Sequence, residues 1–242
     1  MSLPVRISAL LVAFVAVVAG AVYVVIHYVV ASPPTVDYTS MARGGQVNVV
    51  LQEDPQNTVS SHPDWVSYFV QDPTTHQWIH TTLFKVPAKT RVNMTILGYD
   101  GCTPLRNNFW SKVQGTIGNV MTVQQFKTTG VPLGGPKVYS VLNSWSGCNV
   151  AHTFAIPSLH VFVPIASPNT ALFNSSGCGV SPCISGPHSM VKFSFMTPAV
   201  RGGGTATFRW QCFIPCGGGF VFGNGGPMAT IGFMAGNMEV QA

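Results

Sequence analysis

The chain has 242 residues, of which 46% are hydrophobic and only 8% charged, with a formal net charge of +5, 25 glycines and 18 prolines. That length admits one membrane anchor and one domain of somewhat under about 200 residues. A chain this apolar and aromatic is not disordered, and its short apolar runs between glycines and prolines predict a β-sandwich with long loops.

Residues 1–6 form a short tail whose one charge is Arg6, and residues 7–30 are an uncharged run of 24. At about 1.5 Å per residue such a run spans a hydrocarbon core of roughly 30 Å, longer than the apolar core of a cleaved signal. Arg6 favours a cytoplasmic N-terminus. No second run of that length follows, so the chain is expected to cross the cell membrane once and carry its C-terminal domain outside.

Ser32-Pro33-Pro34 ends the helix, because proline cannot continue the hydrogen-bond ladder. Residues 31–44 are expected as a linker and 45–242 as the extracytoplasmic domain. Segments 46–51 and 65–70 have the β-branched and aromatic content of strands, with Asp54-Pro55 and Asp72-Pro73 as turns after them. Segments 80–86 and 91–97 read as two strands around a short loop, and Val92-Asn93-Met94-Thr95-Ile96 alternates apolar with polar.

Residues 98–148 look like a long insertion with a cysteine near each end, Cys102 and Cys148, and a bridge there would restrain about 45 residues of chain. Cys178 and Cys183 suit a local bridge. Six cysteines in an exported domain permit both, although spacing alone does not fix the pairing. Further strands are expected at 191–195 and 206–210, with glycine-broken strand material over 228–240.

The most informative stretch is Phe208-Arg209-Trp210-Gln211-Cys212-Phe213-Ile214-Pro215-Cys216-Gly217, a strand entering a tight loop with two thiols four residues apart. Upstream, Asn149-Val150-Ala151-His152 reads as a strand end with one histidine. These two stretches resemble subunit II of haem-copper oxidases. His152-Thr153-Phe154-Ala155-Ile156-Pro157-Ser158-Leu159 is similar to the family's histidine strand, and Cys212-x-x-x-Cys216-Gly217 to its bridging-cysteine loop. The resemblance covers the anchor and about half of the domain, and implies an all-β, cupredoxin-like Greek-key sandwich behind one transmembrane helix.

It also implies copper, with His152 as an imidazole ligand, Cys212 and Cys216 as thiolates, and the Ile214 carbonyl as a weak axial ligand. Soft sulfur with imidazole nitrogen suits Cu(I) and Cu(II) together. The sequence departs from the family at several positions. Phe220 stands where a second histidine belongs, Gly223 where a methionine belongs, Ile214 where a glutamate belongs, and Pro164 at the expected acidic position. A full two-copper centre is therefore not expected. A single-copper site from His152, a cysteine and Met228 is the alternative, with His160 as a substitute imidazole that is structural by default. An oxidised Cys212–Cys216 bridge is the metal-free alternative. His188-Ser189-Met190 lies in the wrong loop to replace the missing ligands, and His76 and His80 read as ordinary loop and strand histidines.

The resemblance implies a subunit of a respiratory oxidase, with a polytopic membrane protein as partner and a redox protein as donor. A metal-free binding module and a copper-handling protein are the other readings. The seven basic residues from Lys85 to Lys137 face one acidic residue, Asp100, and are too spread for nucleic acid. Hydrolase elbows, zinc-protease helices and phosphate loops are absent. The seven acidic residues, mostly beside prolines or in turns, offer no acid/base pair, so catalysis by this chain alone is not expected.

Overall fold

The computed structural model describes residues 3–25, 33–60, 62–102, 107–142, 149–168, 178–216 and 225–242. It divides into two units, 1–33 and 34–242. In the first, helix α1 runs Leu3–Val24 and carries no charged residue over Ile7–Val24. It is long and apolar enough to cross a membrane, as an anchor or as a signal sequence. It begins before the expected span and takes Arg6 into its backbone, while the end of that span, 26–30, lies outside the described residues.

In the second unit, the linker expected up to residue 44 is shorter. Residues Thr35–Asp37 form β1 and pair in parallel with β5, Leu83–Pro87. Beyond β5 the same sheet continues through β13 (Ala235–Gln241), β12 (Thr205–Gln211), β9 (Val150–Ile156) and β10 (Val161–Ala166). The second sheet runs β4 (Trp78–Ile79), β3 (Ser67–Gln71), β2 (Gln46–Asp54), β6 (Arg91–Gly98), β11 (His188–Met196), β7 (Met121–Phe126) and β8 (Pro132–Tyr139). Both sheets are mixed: β2 lies parallel to β6 and β5 parallel to β13, among antiparallel pairs. β9 and β10 form a hairpin, β11 crosses to the other sheet, and β12 returns to pair with β9. That return beside the first strand is a Greek-key connection, so the expected all-β Greek-key sandwich is the fold that forms.

The segment 98–148 is not a mere excursion. Its β7 pairs with β11 and its β8 with β7, extending the second sheet by two strands. Cys102 is disulfide-bonded, and its expected partner Cys148 lies outside the described residues. Cys178 and Cys183 are bridged to each other as expected.

Alternation builds the core. Val47, Val49 and Leu51 of β2 and Val92, Met94 and Ile96 of β6 are all buried, while Gln46, Asn48 and Arg91 beside them are exposed. Trp210 is fully buried against Tyr68, Phe84 and Phe154, with ring centroids 4.9–6.3 Å away. Its Nε1 donates to the Thr82 carbonyl at 3.1 Å, so the indole is both packed and satisfied. Gly236, opposite Trp210 on β13, lets the Thr82 backbone come this close. A Cβ at 236 would overlap the Thr82 carbonyl oxygen and stand 2.7 Å from its hydroxyl.

At the far end of β2, Gln52, Glu53 and Asp54 are all buried. Gln52 Nε2 donates to the Cys183 carbonyl, and Cys183 N donates to Asp54 Oδ2 at 3.0 Å, which ties the bridged loop onto the strand. Burial, with the neighbouring Glu53 charge adding to it, pushes the Asp54 carboxyl up to about 7.

Two outcomes follow from this packing. Gly236→Ala should destabilise the domain by about 1–3 kcal/mol, read by denaturant unfolding, because the backbone of Thr82 has to move. The Asp54 carboxyl sits above its ordinary value of 3.8 in the folded state. Its stabilising contribution is therefore complete below about pH 4 and is lost as pH rises through about 7. Asp54→Asn, which keeps an acceptor for Cys183 N, should flatten that part of a stability-versus-pH curve.

Candidate metal centre

His152 lies inside β9 rather than at a strand end, and it is 1% exposed. By parity it shares its face with Phe154, whose ring packs against Trp210 and Phe193 in the core. The imidazole thus points from the first sheet into the sandwich. Its Nδ1 meets Cys216 Sγ at 3.3 Å and Cys212 Sγ at 3.7 Å. Both cysteines are free and buried, so the oxidised bridge is not the state present.

The cysteine loop is held to β9 by a small set of bonds. Cys212 N donates to the Met234 carbonyl at 2.9 Å, and Phe213 N donates to Thr153 Oγ1 at 2.8 Å. Cys212 Sγ accepts from Thr153 N and from Ile214 N, each at 3.4 Å. The Ile214 carbonyl turns back into the loop, 2.7 Å from Cys216 Sγ and 3.4 Å from Cys212 Sγ. One imidazole nitrogen, two sulfurs and one carbonyl therefore converge on one buried point.

Metal–nitrogen and metal–sulfur bonds of about 2.0–2.3 Å at tetrahedral angles separate their donors by about 3.5 Å. The 3.3 and 3.7 Å spacings between His152 Nδ1 and the two sulfurs match that. The ligand atoms of His152, Cys212 and Cys216 all lie within 4.8 Å of one another. The donor set is soft and fits a copper ion.

Met228 sits on a 3-10 turn, Gly226–Ala229, and is half-buried against the core. Its neighbour Pro227 accepts from Met234 N at 3.1 Å, and Met234 in turn holds Cys212 N, so Met228 is two backbone links from the cluster. Phe220 and Gly223 lie outside the described residues. His160 occupies an exposed left-handed turn between β9 and β10 (φ 54°), a structural place as expected. His188 stacks on Phe126, and His80 packs against Phe69 and Phe233. Trp210 belongs to the core, whereas Phe213 stacks face to face on Trp110 with centroids 4.6 Å apart. Trp110 also touches Phe109, which is 39% exposed.

Two residues that sequence reasoning passed over complete the site. Asp100 Oδ2 is 2.9 Å from His152 Nε2, and Glu53 Oε1 is 3.3 Å from the same nitrogen. Asp100 and Glu53, read from sequence as residues beside turns, thus meet at His152. Glu53 is fully buried and Asp100 partly so. The signal was in the alternation. Val47, Val49 and Leu51 lead inward to Glu53, and Val92, Met94 and Ile96 lead through Gly98 to Asp100.

Burial disfavours a charged imidazole, but Glu53, Cys216 and the Asp100 hydrogen bond outweigh it and raise His152 well above its usual range. Burial also opposes ionisation of Cys212. Hydrogen bonds from Cys216 and His152, with the imidazole charge, nevertheless hold that thiol well below the ordinary value. Burial and then the adjacent Cys212 push Cys216 the other way. The metal-free pair therefore favours one thiolate and one thiol.

No protein-family model matches the chain, and no curated protein sequence matches it. Among solved structures, reduced rusticyanin is 17% identical, with 86% of this chain and 84% of that chain covered and a TM-score of 0.31. Rusticyanin from Thiobacillus ferrooxidans is 16% identical, with 87% and 84% covered and a TM-score of 0.31. A further rusticyanin structure, described as that of a copper protein, is 17% identical over 86% and 82%, again at 0.31. A likeness of that size carries no argument for the site, which stands on its own geometry.

In reduced, metal-free protein, the ultraviolet thiolate absorbance should show one thiolate persisting below the usual thiol range. Cys212→Ser should abolish that early titration.

Proposed function

We propose that residues 34–242 are a cupredoxin-like electron-transfer domain that binds one copper ion through His152, Cys212 and Cys216. The supporting observation is the convergence of His152 Nδ1, two free buried sulfurs and the Ile214 carbonyl on one point. Copper held there would supply a one-electron couple, since thiolate and imidazole together suit both of its oxidation states.

The chain's own residues supply the rest. Backbone donors from Thr153 and Ile214 fix Cys212 Sγ and spread its charge. Burial of His152, Cys212 and Cys216 excludes water. The loop is pinned at both of its partners, β9 through Thr153 and the turn before β13 through Met234, so the donors move little when charge changes. The Phe213–Trp110 stack leads from between the two cysteines to the exposed Phe109, a short aromatic route for one electron to arrive and the same electron to leave. Ile214 contributes its carbonyl, and Met228 is the candidate for a weak thioether contact from the neighbouring turn.

The anchor and the residues 152–159 and 212–217 support a place in a membrane complex of the haem-copper oxidase type, with a redox protein as donor. In this reading α1 is retained in the cell membrane, with the N-terminus cytoplasmic and the sandwich outside. Co-purification of the full chain with a polytopic, haem-bearing membrane protein is the expected result for that partner.

The decisive experiment purifies the full chain in detergent, loads copper under reducing conditions, removes excess metal, reoxidises the site with ferricyanide and measures metal per chain with the visible spectrum. One copper per chain is expected, with intense thiolate-to-copper bands absent from Cys212→Ser and Cys216→Ser. Protein that folds yet retains no copper would sink the electron-transfer reading and leave a metal-free binding module.

A further inference from the structure

The two nitrogens of His152 face opposite chemistries. Nδ1 faces the two sulfurs, and Nε2 faces Asp100 Oδ2 at 2.9 Å and Glu53 Oε1 at 3.3 Å. A neutral imidazole carries one N–H, and the shorter, hydrogen-bonded contact places it on Nε2 toward Asp100. Nδ1 then presents its lone pair to the cysteines. Glu53 Oε1, fully buried, is left without a hydrogen-bond partner beside the same nitrogen. Its other oxygen accepts from Asp100 N at 3.3 Å and so holds the Asp100 main chain in place.

The two carboxylates reach the imidazole from the opposite sheet. β2 and β6 run parallel with Glu53 registered against Gly98, and Asp100 follows two residues on, at the same parity. No described lysine or arginine pairs with either one, and the described salt bridges of both carboxylates are to His152. Asp100, partly exposed, and Glu53, fully buried, thus face whatever positive charge sits across the imidazole.

We propose that Glu53 and Asp100 are positioning residues that fix the His152 tautomer for metal binding and bias the centre toward its oxidised state, giving it a low midpoint potential. The inference rests on the copper reading above. Removing one electron from the site adds one positive charge. Carboxylates behind the ligating imidazole stabilise that added charge and make the imidazole a stronger donor. No bond is made or broken; the electron passes to the acceptor protein, and Nε2–H stays on His152.

The test is a spectroelectrochemical titration of copper-loaded full-length protein, comparing wild type with Asp100→Asn and Glu53→Gln. Asparagine keeps an acceptor for Nε2–H and removes only the charge. Asp100→Asn should therefore retain one copper and the thiolate bands. Its oxidised-to-reduced ratio at a fixed potential should fall at least tenfold, a rise of 59 mV for one electron. Glu53→Gln should shift the same way, and if it fails to fold, Asp100→Asn decides alone. Unchanged potential in a copper-loaded Asp100→Asn would overturn the inference and leave the copper reading intact, since a purely structural pair would alter stability and not potential. A wild type that binds no copper would overturn the copper reading itself, and this inference with it.

Discussion

An imidazole buried between two sheets has two nitrogens to satisfy, and nearly every feature of this domain serves that demand. Left unpaired in the core, either nitrogen would cost a few kcal/mol. His152 meets thiols on one edge and carboxylates on the other, and each set comes from a different part of the chain. The cysteine loop reaches it because β12 returns beside β9, with Gln211 registered against Ala155. The carboxylates reach it because β2 and β6 run parallel in the facing sheet and end together.

Packing and polarity divide along the length of the sandwich. Trp210 fills the middle of the core, two residues before Cys212. The apolar interior then gives way to buried polar groups, His152, Glu53, Thr153 and the two sulfurs, at one end. Asp54 and Gln52 continue that polar end toward the Cys178–Cys183 loop. Buried ionisable groups of this kind seldom add stability when compared with apolar packing. They are concentrated at the end where the thiols lie, the end on which the proposed metal site rests.

Much of this was legible from sequence. Strand composition announced β2, period-two alternation announced β6 and β11, and the resemblance over 152–159 and 212–217 pointed to the donors. Other parts were not legible for identifiable reasons. β7 and β8 fall in a stretch of glutamine, threonine, glycine and proline whose pairing with β11 is long-range, so local composition made it look like an insertion. β1 is three residues long and exists only because β5 accepts it. Asp100 and Glu53 sit beside turn-forming residues, and that local setting hid the parity which carries both inward.

The position of β13 has a consequence for how the chain acquires this structure. Residues 235–241 do not edge the first sheet but divide it, pairing antiparallel with β12 on one side and parallel with β5, about 150 residues earlier, on the other. Until that segment has been synthesised, β12 and β5 have no common partner and the Cys212 loop lacks its tether at Met234. Assembly is therefore dominated by late, distant pairing, which is slow. For that interval the two thiols that end up shielded are open to exchange with the cysteines that end up bridged. Only once β13 is in place does the finished geometry shield Cys212 and Cys216 from that exchange.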